Sequence, residues 1–182
     1  MAGSSLKRLI THVSAMTGLS EAAVYERQRA LVRAGLLKTE RGRGPGSGVR
    51  GTPESVALLL ISLLATGSLS EVGPSTRIFA NLENKDGFCP LTGKRTFAEA
   101  VTAILASKEW AQRIIAINVS QEIRESEIAY RDPSKGESIP SSSEFGGHAG
   151  QPGEPNLSLR ASLSGYAVNR LADIFHEGEA RP

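Results

Sequence analysis

Leu19 to Glu54 reads LSEAAVYERQRALVRAGLLKTERGRGPGSGVRGTPE, and the folding of this stretch decides the arrangement of the rest. Ser20 is a good N-cap, and Glu21 sits where the positive end of a helix favours a carboxylate. The helix they start is expected to run to about Ala34. At about 100° per residue, Val24, Gln28, Leu31 and Gly35 share one face, while Ala22, Tyr25, Glu26, Arg29 and Arg33 lie on the opposite side. Ala23, Ala30 and Ala34 form a small-residue flank that lets another helix approach closely. Leu36 to Arg41 reads as a short strand and Val49-Arg50 as its return, joined by a tip in which Gly42, Gly44, Gly46 and Gly48 surround Arg43 and Pro45. Thr52-Pro53-Glu54 starts the next helix, with Thr as N-cap, Pro at the first position and Glu in the first turn.

Upstream, Leu6, Leu9, Ile10, Val13 and Met16 make a helical stripe that Thr17-Gly18-Leu19 interrupts, Gly18 being suited to the left-handed conformation that ends a helix. This order of parts resembles the winged helix-turn-helix superfamily, in its bacterial pattern of a helix, a short turn, a recognition helix ending in "AGLL" and a glycine-tipped basic wing. The resemblance covers roughly the first third of the chain. It implies duplex-DNA binding, with base edges read from the second helix and phosphates held by the wing. The helix that ordinarily precedes such a pair has no counterpart before Leu6, so the Val56 to Ala65 helix, or one from a partner subunit, is expected to close the core in its place.

Charge is distributed in the same sense. Up to Gly51 the chain carries nine basic residues, Lys7, Arg8, Arg27, Arg29, Arg33, Lys38, Arg41, Arg43 and Arg50, against three acidic ones, Glu21, Glu26 and Glu40. That excess of six, within a total of +2, leaves the remainder at −4. A basic part joined to an acidic part suits a polyanion at one end only. On the outer face of the second helix Ala22, Tyr25, Glu26 and Arg29 are the candidate base readers: Arg can bond guanine bidentately, Glu can accept from cytosine, and Tyr can contact a thymine methyl or a phosphate. Lys7, Arg8, Arg33, Lys38, Arg41, Arg43 and Arg50 are assigned to the DNA backbone, with Arg43 at the wing tip able to enter the minor groove. Charged helix faces are commonly just solvated, and it is the adjoining basic wing that favours the binding reading.

Val56 to Ala65 is apolar on every face, which predicts a helix buried on most sides; at ten residues it is about half the length a membrane-crossing helix needs. Beyond Gly67, Pro74 to Leu82 is expected to form a short helix and Glu83 to Gly93 a polar loop. Thr96-Phe97-Ala98-Glu99 has capping-box spacing ahead of a stripe of Phe97, Val101, Ile104 and Leu105. From Arg113 the pattern alternates through Ile115, Ile117, Val119 and Ile123 toward Tyr130, a long half-buried strand. Asp132 to Pro155 is so rich in Ser, Gly and Pro that a mobile loop is expected. Leu157, Leu159, Ala161 and Leu163 alternate again and can pair antiparallel with the earlier strand, and Ser164 caps a last helix with Val168, Leu171, Ile174 and Phe175 inward.

The fold expected is α+β, an N-terminal winged helix-turn-helix followed by helices and a small C-terminal α+β unit with a long antiparallel strand pair. Its divisions are 1–68 for the DNA-binding domain, 69–93 for a helical connector and loop, and 94–182 for a dimerisation or interaction domain containing the loop 132–155.

Other chemistry finds little purchase. Gly46 to Gly51 formally matches a dinucleotide fingerprint, but Gly67 to Gly73 is polar where a second parallel strand should follow. Gly87 to Lys94 resembles a P-loop with one residue too many between its glycines, and Arg95 stands where Ser or Thr should bind magnesium. His12, His148 and His176 are scattered without ligand spacing, so no metal or cofactor is expected. The single cysteine, Cys89, cannot form an intrachain disulfide and reads as a packing residue. Glu122, Glu125 and Glu127 read as an exposed strand end. No ligand pocket is legible, and an enzyme is the least favoured class. The N-terminus MAGSSLKRLI has no signal-peptide core, so a cytoplasmic, nucleoid-associated protein is expected. The function expected is a sequence-specific double-stranded DNA-binding transcriptional regulator, repressor or activator, of the phage or mobile-element kind. It would act as a homodimer on an inverted repeat, joined through the long strand and the all-apolar helix. The alternative is a replication or partition factor that marks an origin. RNA polymerase or replication proteins are the corresponding partners.

Overall fold

The computed structural model describes residues 5–40, 48–135, 139–146 and 159–177. The fold is α+β, with helices in the N-terminal part and a strand-rich C-terminal part. Helix α1 (Leu6–Thr17) buries Leu6, Leu9, Ile10 and Val13, and ends at Gly18, whose φ of 71° lets its N–H reach the Ser14 carbonyl at 2.9 Å. Helix α2 (Glu21–Arg33) is capped by Ser20 Oγ, which accepts from the Ala23 N–H at 3.2 Å. Strands β1 (Thr39–Glu40) and β2 (Gly48–Val49) pair antiparallel, Thr39 with Val49 and Glu40 with Gly48. The first strand was expected to begin at Leu36. It begins at Thr39 because the Leu36 and Leu37 N–H groups both turn back to the Leu31 carbonyl, closing α2 and leaving nothing for a ladder. An isolated antiparallel bridge from Arg50 to Ser5 ties the hairpin to the start of α1.

Helix α3 (Pro53–Ala65) begins on a capping box of Thr52 and Ser55 and buries nine of its thirteen residues. It contacts α2, α4 (Val72–Ala80), α5 (Phe97–Leu105), and the strands β3 (Ile114–Ser120) and β6 (Arg160–Ser164). The expectation that it closes the core is met within the chain itself. By the same token α3 is not exposed as a dimer surface. The small flank of α2 is used by α4: a Cβ on Gly73 would come within 2.7 Å of the Ala34 Cβ, and Arg77 donates to the Ala34 carbonyl at 3.0 Å.

The long strand expected from Arg113 toward Tyr130 is a hairpin. A short helix, α6 (Lys108–Arg113), precedes β3, and the chain reverses at Arg124, with φ of 51°, into β4 (Glu125–Arg131). The inward positions are odd-numbered in β3 (Ile117, Val119) and even-numbered in β4 (Ser126, Ile128, Tyr130), a change of phase that accompanies the reversal. A register shift between Ile114 and Ala116 puts Ile115 outward. The expected loop 132–155 contains another strand, β5 (Pro140–Gly146); residues 136–138 and 147–158 lie outside the described residues. Composition misled there because Ser141, Ser143 and Phe145 alternate inward, and Phe145 packs on Phe97 with ring centroids 5.4 Å apart. β6 pairs antiparallel with β3, Leu163 opposite Ile117, as expected, and the sheet order is β5-β4-β3-β6. Its inner face carries Ile117, Val119, Ile128, Tyr130 and Leu163. Its outer face is polar: Lys85 reaches Glu125 at 2.8 Å and Glu144 at 2.9 Å, while Glu127 takes Asn118 at 3.0 Å.

The last helix, α7 (Gly165–Glu177), starts against β3 and buries Val168 and Leu171, with Ile174 and Phe175 partly buried. Gly165 admits no side chain there, since an added Cβ would overlap the Ile114 carbonyl. The buried hydrophobic residues form one cluster, from Leu6 to Ala172.

Two outcomes follow from this packing. Gly165→Ala is expected to lower stability by about 3 kcal/mol, the upper part of the overpacking range. Gly67→Ala, where nothing lies within 4 Å of the added Cβ, is expected to be close to neutral. Urea midpoints of the two variants make the comparison. At the start of α5, Glu99 accepts the Thr96 N–H at 3.1 Å, and this bond holds its carboxyl below the ordinary glutamate value of 4.5. A depressed carboxylate contributes stability above its unfolded pKa and loses it as pH falls through the folded one. Glu99→Gln keeps an acceptor but removes the charge. It should therefore be less stable than the parent at neutral pH, with the gap closing once the pH drops below the usual carboxylate range. Thermal midpoints across pH measure this.

Candidate nucleic-acid interface

The geometry of α2 sorts its polar residues into two sets. Val24, Arg27, Gln28 and Leu31 follow the i, i+3, i+4, i+7 spacing of an inner face, and all four are buried. Arg27 is spent inside the molecule: its guanidinium donates to the Ser62 carbonyl at 2.8 Å and to the Gly67 carbonyl at 3.4 Å, fastening α2 to the last turn of α3. Burial pushes its pKa down. Gln28 Oε1 is buried with no hydrogen-bond partner among the described residues. The outer set is Ala22, Tyr25, Arg29 and Arg33, all exposed, with Glu26 half-buried beside them. Glu26 Oε1 and Arg29 Nη1 form an i,i+3 ion pair at 2.9 Å. A pair this exposed is worth only about 0.3–0.5 kcal/mol, so Arg29 can leave it for a stronger acceptor.

Two groups of the sequence-assigned residues come together. Lys7, Ala22 and Tyr25 line one surface hollow of about 290 Å3 between α1 and α2, floored by Ile10. Lys38 and Arg50 line a second, of about 260 Å3, between the hairpin and the first turns of α3. The Ser5–Arg50 bridge brings the hairpin end next to Lys7 and Arg8, both exposed on the first turn of α1. Arg33 lines neither hollow. Arg41 and Arg43 lie outside the described residues. Arg50 pairs with Glu40, whose carboxylate raises its pKa, so this position offers less net charge than the count of arginines suggests. Lys7, Arg8, Arg33 and Lys38 make no ion pair among the described residues.

Arg27 is thus removed from the basic surface, and its role was legible in principle: it stands three residues after Val24 and four before Leu31, an interior position. A feature that no motif announced is a groove of about 520 Å3 between α3, α5 and α6, whose lining includes Leu58, Thr102 and Trp110. Its residues come from three helices and from the segments beside α5, which contribute Lys94, Ala106 and Ser107, so only the packed fold assembles it. Among the described residues no group of His, Cys, Asp and Glu is placed to hold a metal, Cys89 is fully buried, and no helix is long and apolar enough to cross a membrane. Comparison with protein-family models, with curated proteins and with solved structures finds no match for this chain.

The two sets of α2 residues separate by experiment. Arg27→Met leaves the Ser62 and Gly67 carbonyls without their donor and should cost about 1–3 kcal/mol of stability, read as a lower urea midpoint. Tyr25→Ala and Arg33→Ala, on the outer face, should leave that midpoint within about 0.5 kcal/mol.

Proposed function

We propose that the chain is a sequence-specific duplex-DNA-binding regulator of the winged helix-turn-helix type, acting as a homodimer on an inverted repeat. The observation that carries this reading is the outer face of α2. Ala22, Tyr25 and Arg29 stand exposed at helical spacing on a helix whose other face is anchored by Val24, Arg27 and Leu31. A helix held rigidly from behind presents its outer side chains at fixed spacing, which is what reading base edges in a major groove requires.

The surroundings agree with that use. Lys7 shares a hollow with Ala22 and Tyr25, and Arg8 lies beside it on α1. In such a docking the first helix crosses the phosphate backbone while the second enters the groove. The β1–β2 hairpin flanks the pair from the other side through the Ser5–Arg50 bridge and brings Lys38 and Arg50 within reach of the same backbone. Two copies related by a two-fold axis would set their recognition helices about 34 Å apart, one helical turn of DNA.

The test is binding of the purified chain to fragmented genomic DNA at two salt concentrations, with the bound pool sequenced. An enriched inverted repeat that survives the higher salt supports the reading. Binding that disappears with salt and enriches nothing means phosphate attraction only, and the reading falls. On an enriched site, Arg29→Ala is expected to relax the preference at one position at a cost of about 1–3 kcal/mol. Lys7→Ala and Arg50→Ala should weaken all duplexes alike and reduce the salt slope by about one each. Equal effects on preference from both kinds of substitution would refute the division into reading and positioning residues.

A further inference from the structure

The four-stranded sheet has one finished edge and one open edge. Beside β5 the chain lays a further extended segment: the Lys85 N–H donates to the Glu144 carbonyl at 2.9 Å and the Gly146 N–H to the Glu83 carbonyl at 2.8 Å, on either side of an Asn84–Phe145 bridge. At the other edge, β6 has no further strand beside it among the described residues. An open edge leaves backbone N–H and C=O groups to be paired, and folds commonly blunt it with a proline, a bulge or an edge charge. Between Arg160 and Ser164 there is no proline, and the register against β3 runs without a shift. The one charge, on Arg160, is drawn back over the sheet by Glu127 of β4 at 3.4 Å.

The directions of the free groups follow from the ladder. One step past the last β3–β6 pair, the Gln121 N–H donates to the Leu159 carbonyl at 3.4 Å. Bonded and non-bonded pairs alternate in an antiparallel ladder. Leu159, Ala161 and Leu163 therefore spend their backbone groups on β3, whereas those of Arg160 and Ser162, and the N–H of Ser164, point to the open edge. Ala161 and Leu163 stand on the inner face, opposite Val119 and Ile117. The two most exposed large apolar side chains among the described residues flank this strand: Leu159, 65% exposed, before it and Tyr166, 70% exposed, after it.

We propose that β6 pairs antiparallel with β6 of a second copy, about a two-fold axis through Ser162, to make one continuous sheet. The strand is self-complementary in that register. Each Ser162 donates to and accepts from the other, and each Ser164 N–H reaches the Arg160 carbonyl of the second copy. On the inner face Ala161 lies opposite Leu163, and on the outer face Arg160 lies opposite Ser164, so no like charges meet. The same register sets Leu159 opposite Gly165 of the second copy, beside its Tyr166. The exposed apolar side chains at the two ends of the strand thus cover each other, on both sides of the axis. These matches belong to one sequence read in both directions, which is why the occupant is a second copy and not a foreign strand. The pairing stands on the sheet edge alone; its use on DNA rests on the regulator reading, for which it supplies the two-fold axis.

The full chain is followed by sedimentation velocity over a range of concentrations. The parent is expected to sediment as a dimer that dissociates on dilution. Leu159→Asp, with circular dichroism unchanged, should raise the dissociation constant about ten-fold or more, the scale of an apolar side chain lost from each copy. Ser162→Cys reads the register directly. Facing residues of a bonded antiparallel pair have Cα atoms about 5.5 Å apart, inside the span of about 4.4–6.8 Å that a disulfide bridges. Mild oxidation should therefore link Ser162→Cys into a covalent dimer faster than Ser142→Cys, exposed on β5, while the native Cys89 is buried. The proposal is overturned if the parent is a monomer at every concentration, if Leu159→Asp dimerises as tightly as the parent, or if Ser162→Cys links no faster than Ser142→Cys. A parent dimer with either of the last two results overturns this surface and leaves the homodimer of the regulator reading in place. A linked Ser162→Cys dimer in a chain that enriches no DNA site supports the sheet pairing and removes the regulator reading.

Discussion

A helix that is apolar all round cannot sit on a surface, and α3 imposes that constraint on everything else. Each fully buried Leu, Ile or Val on it contributes on the order of 1.5–3 kcal/mol relative to exposure, but only if some other element covers that side. The chain meets the demand with α2 and α4, with α5, and with strands β3 and β6. The contacts of α3 thereby join the N-terminal helices to the C-terminal sheet, and the buried side chains form one cluster. Both ends of α3 are tied as well. Its first turn is held by the Thr52–Ser55 box and the Ser55 bond to Arg50, and its last turn by the Arg27 guanidinium on the Ser62 carbonyl.

The Arg27 tie illustrates how a charge can be structural. A guanidinium taken out of water loses hydration, which is why its pKa is depressed, and only good acceptors offset that cost. Ser62 and Gly67 offer carbonyls near the end of a helix, where such groups lack intrahelical donors. The arginine therefore closes α3 much as a cap would, from the neighbouring helix, and at the same time fixes the rotation of α2 about its axis. The side chains that α2 turns outward are set by that rotation.

Local chemistry made much of this legible in the sequence. Ser20, Thr52-Pro53 and Thr96–Glu99 announced helix starts because capping depends on side chains within three residues, and the structure has those caps. The burial of α3 and the pairing of β6 with β3 were legible for the same kind of reason: apolar period and alternation are local signals. The failures have a common cause, in that each depended on what lay opposite. The β3–β4 reversal at Arg124 leaves only a change of phase, from Ile117 and Val119 to Ile128 and Tyr130, whose meaning depends on the two strands facing each other. β5 is built of serines, whose composition suggests a loop while their alternation against Ile128 and Ala129 makes a ladder. At the candidate interface the outer face of α2 was legible from helical spacing. The diversion of Arg27 inward and the pairing of Arg50 with Glu40 were not separated from the general basic excess, since charge counting carries no direction. The groove beside Trp110 had no linear signature.

The mechanical asymmetry of α3 bears on how the two ends of its first turns communicate. From Leu59 onward the helix is packed on nearly all sides, so displacement there would open cavities or force overlaps, each costing about 1–3 kcal/mol or more. Its first turns are different: Glu54 is exposed and Leu58 only partly buried, and beside them lies the hairpin, whose Val49 is anchored in the core and whose Arg50 bridges to Ser5. Leu58 therefore lies between the packed middle of the helix on one side and the base of the hairpin on the other. The direct tie between this turn and the hairpin is the Ser55 hydroxyl, which donates to the Arg50 carbonyl at 2.7 Å, so the placing of the hairpin depends on the placing of the first turn of α3.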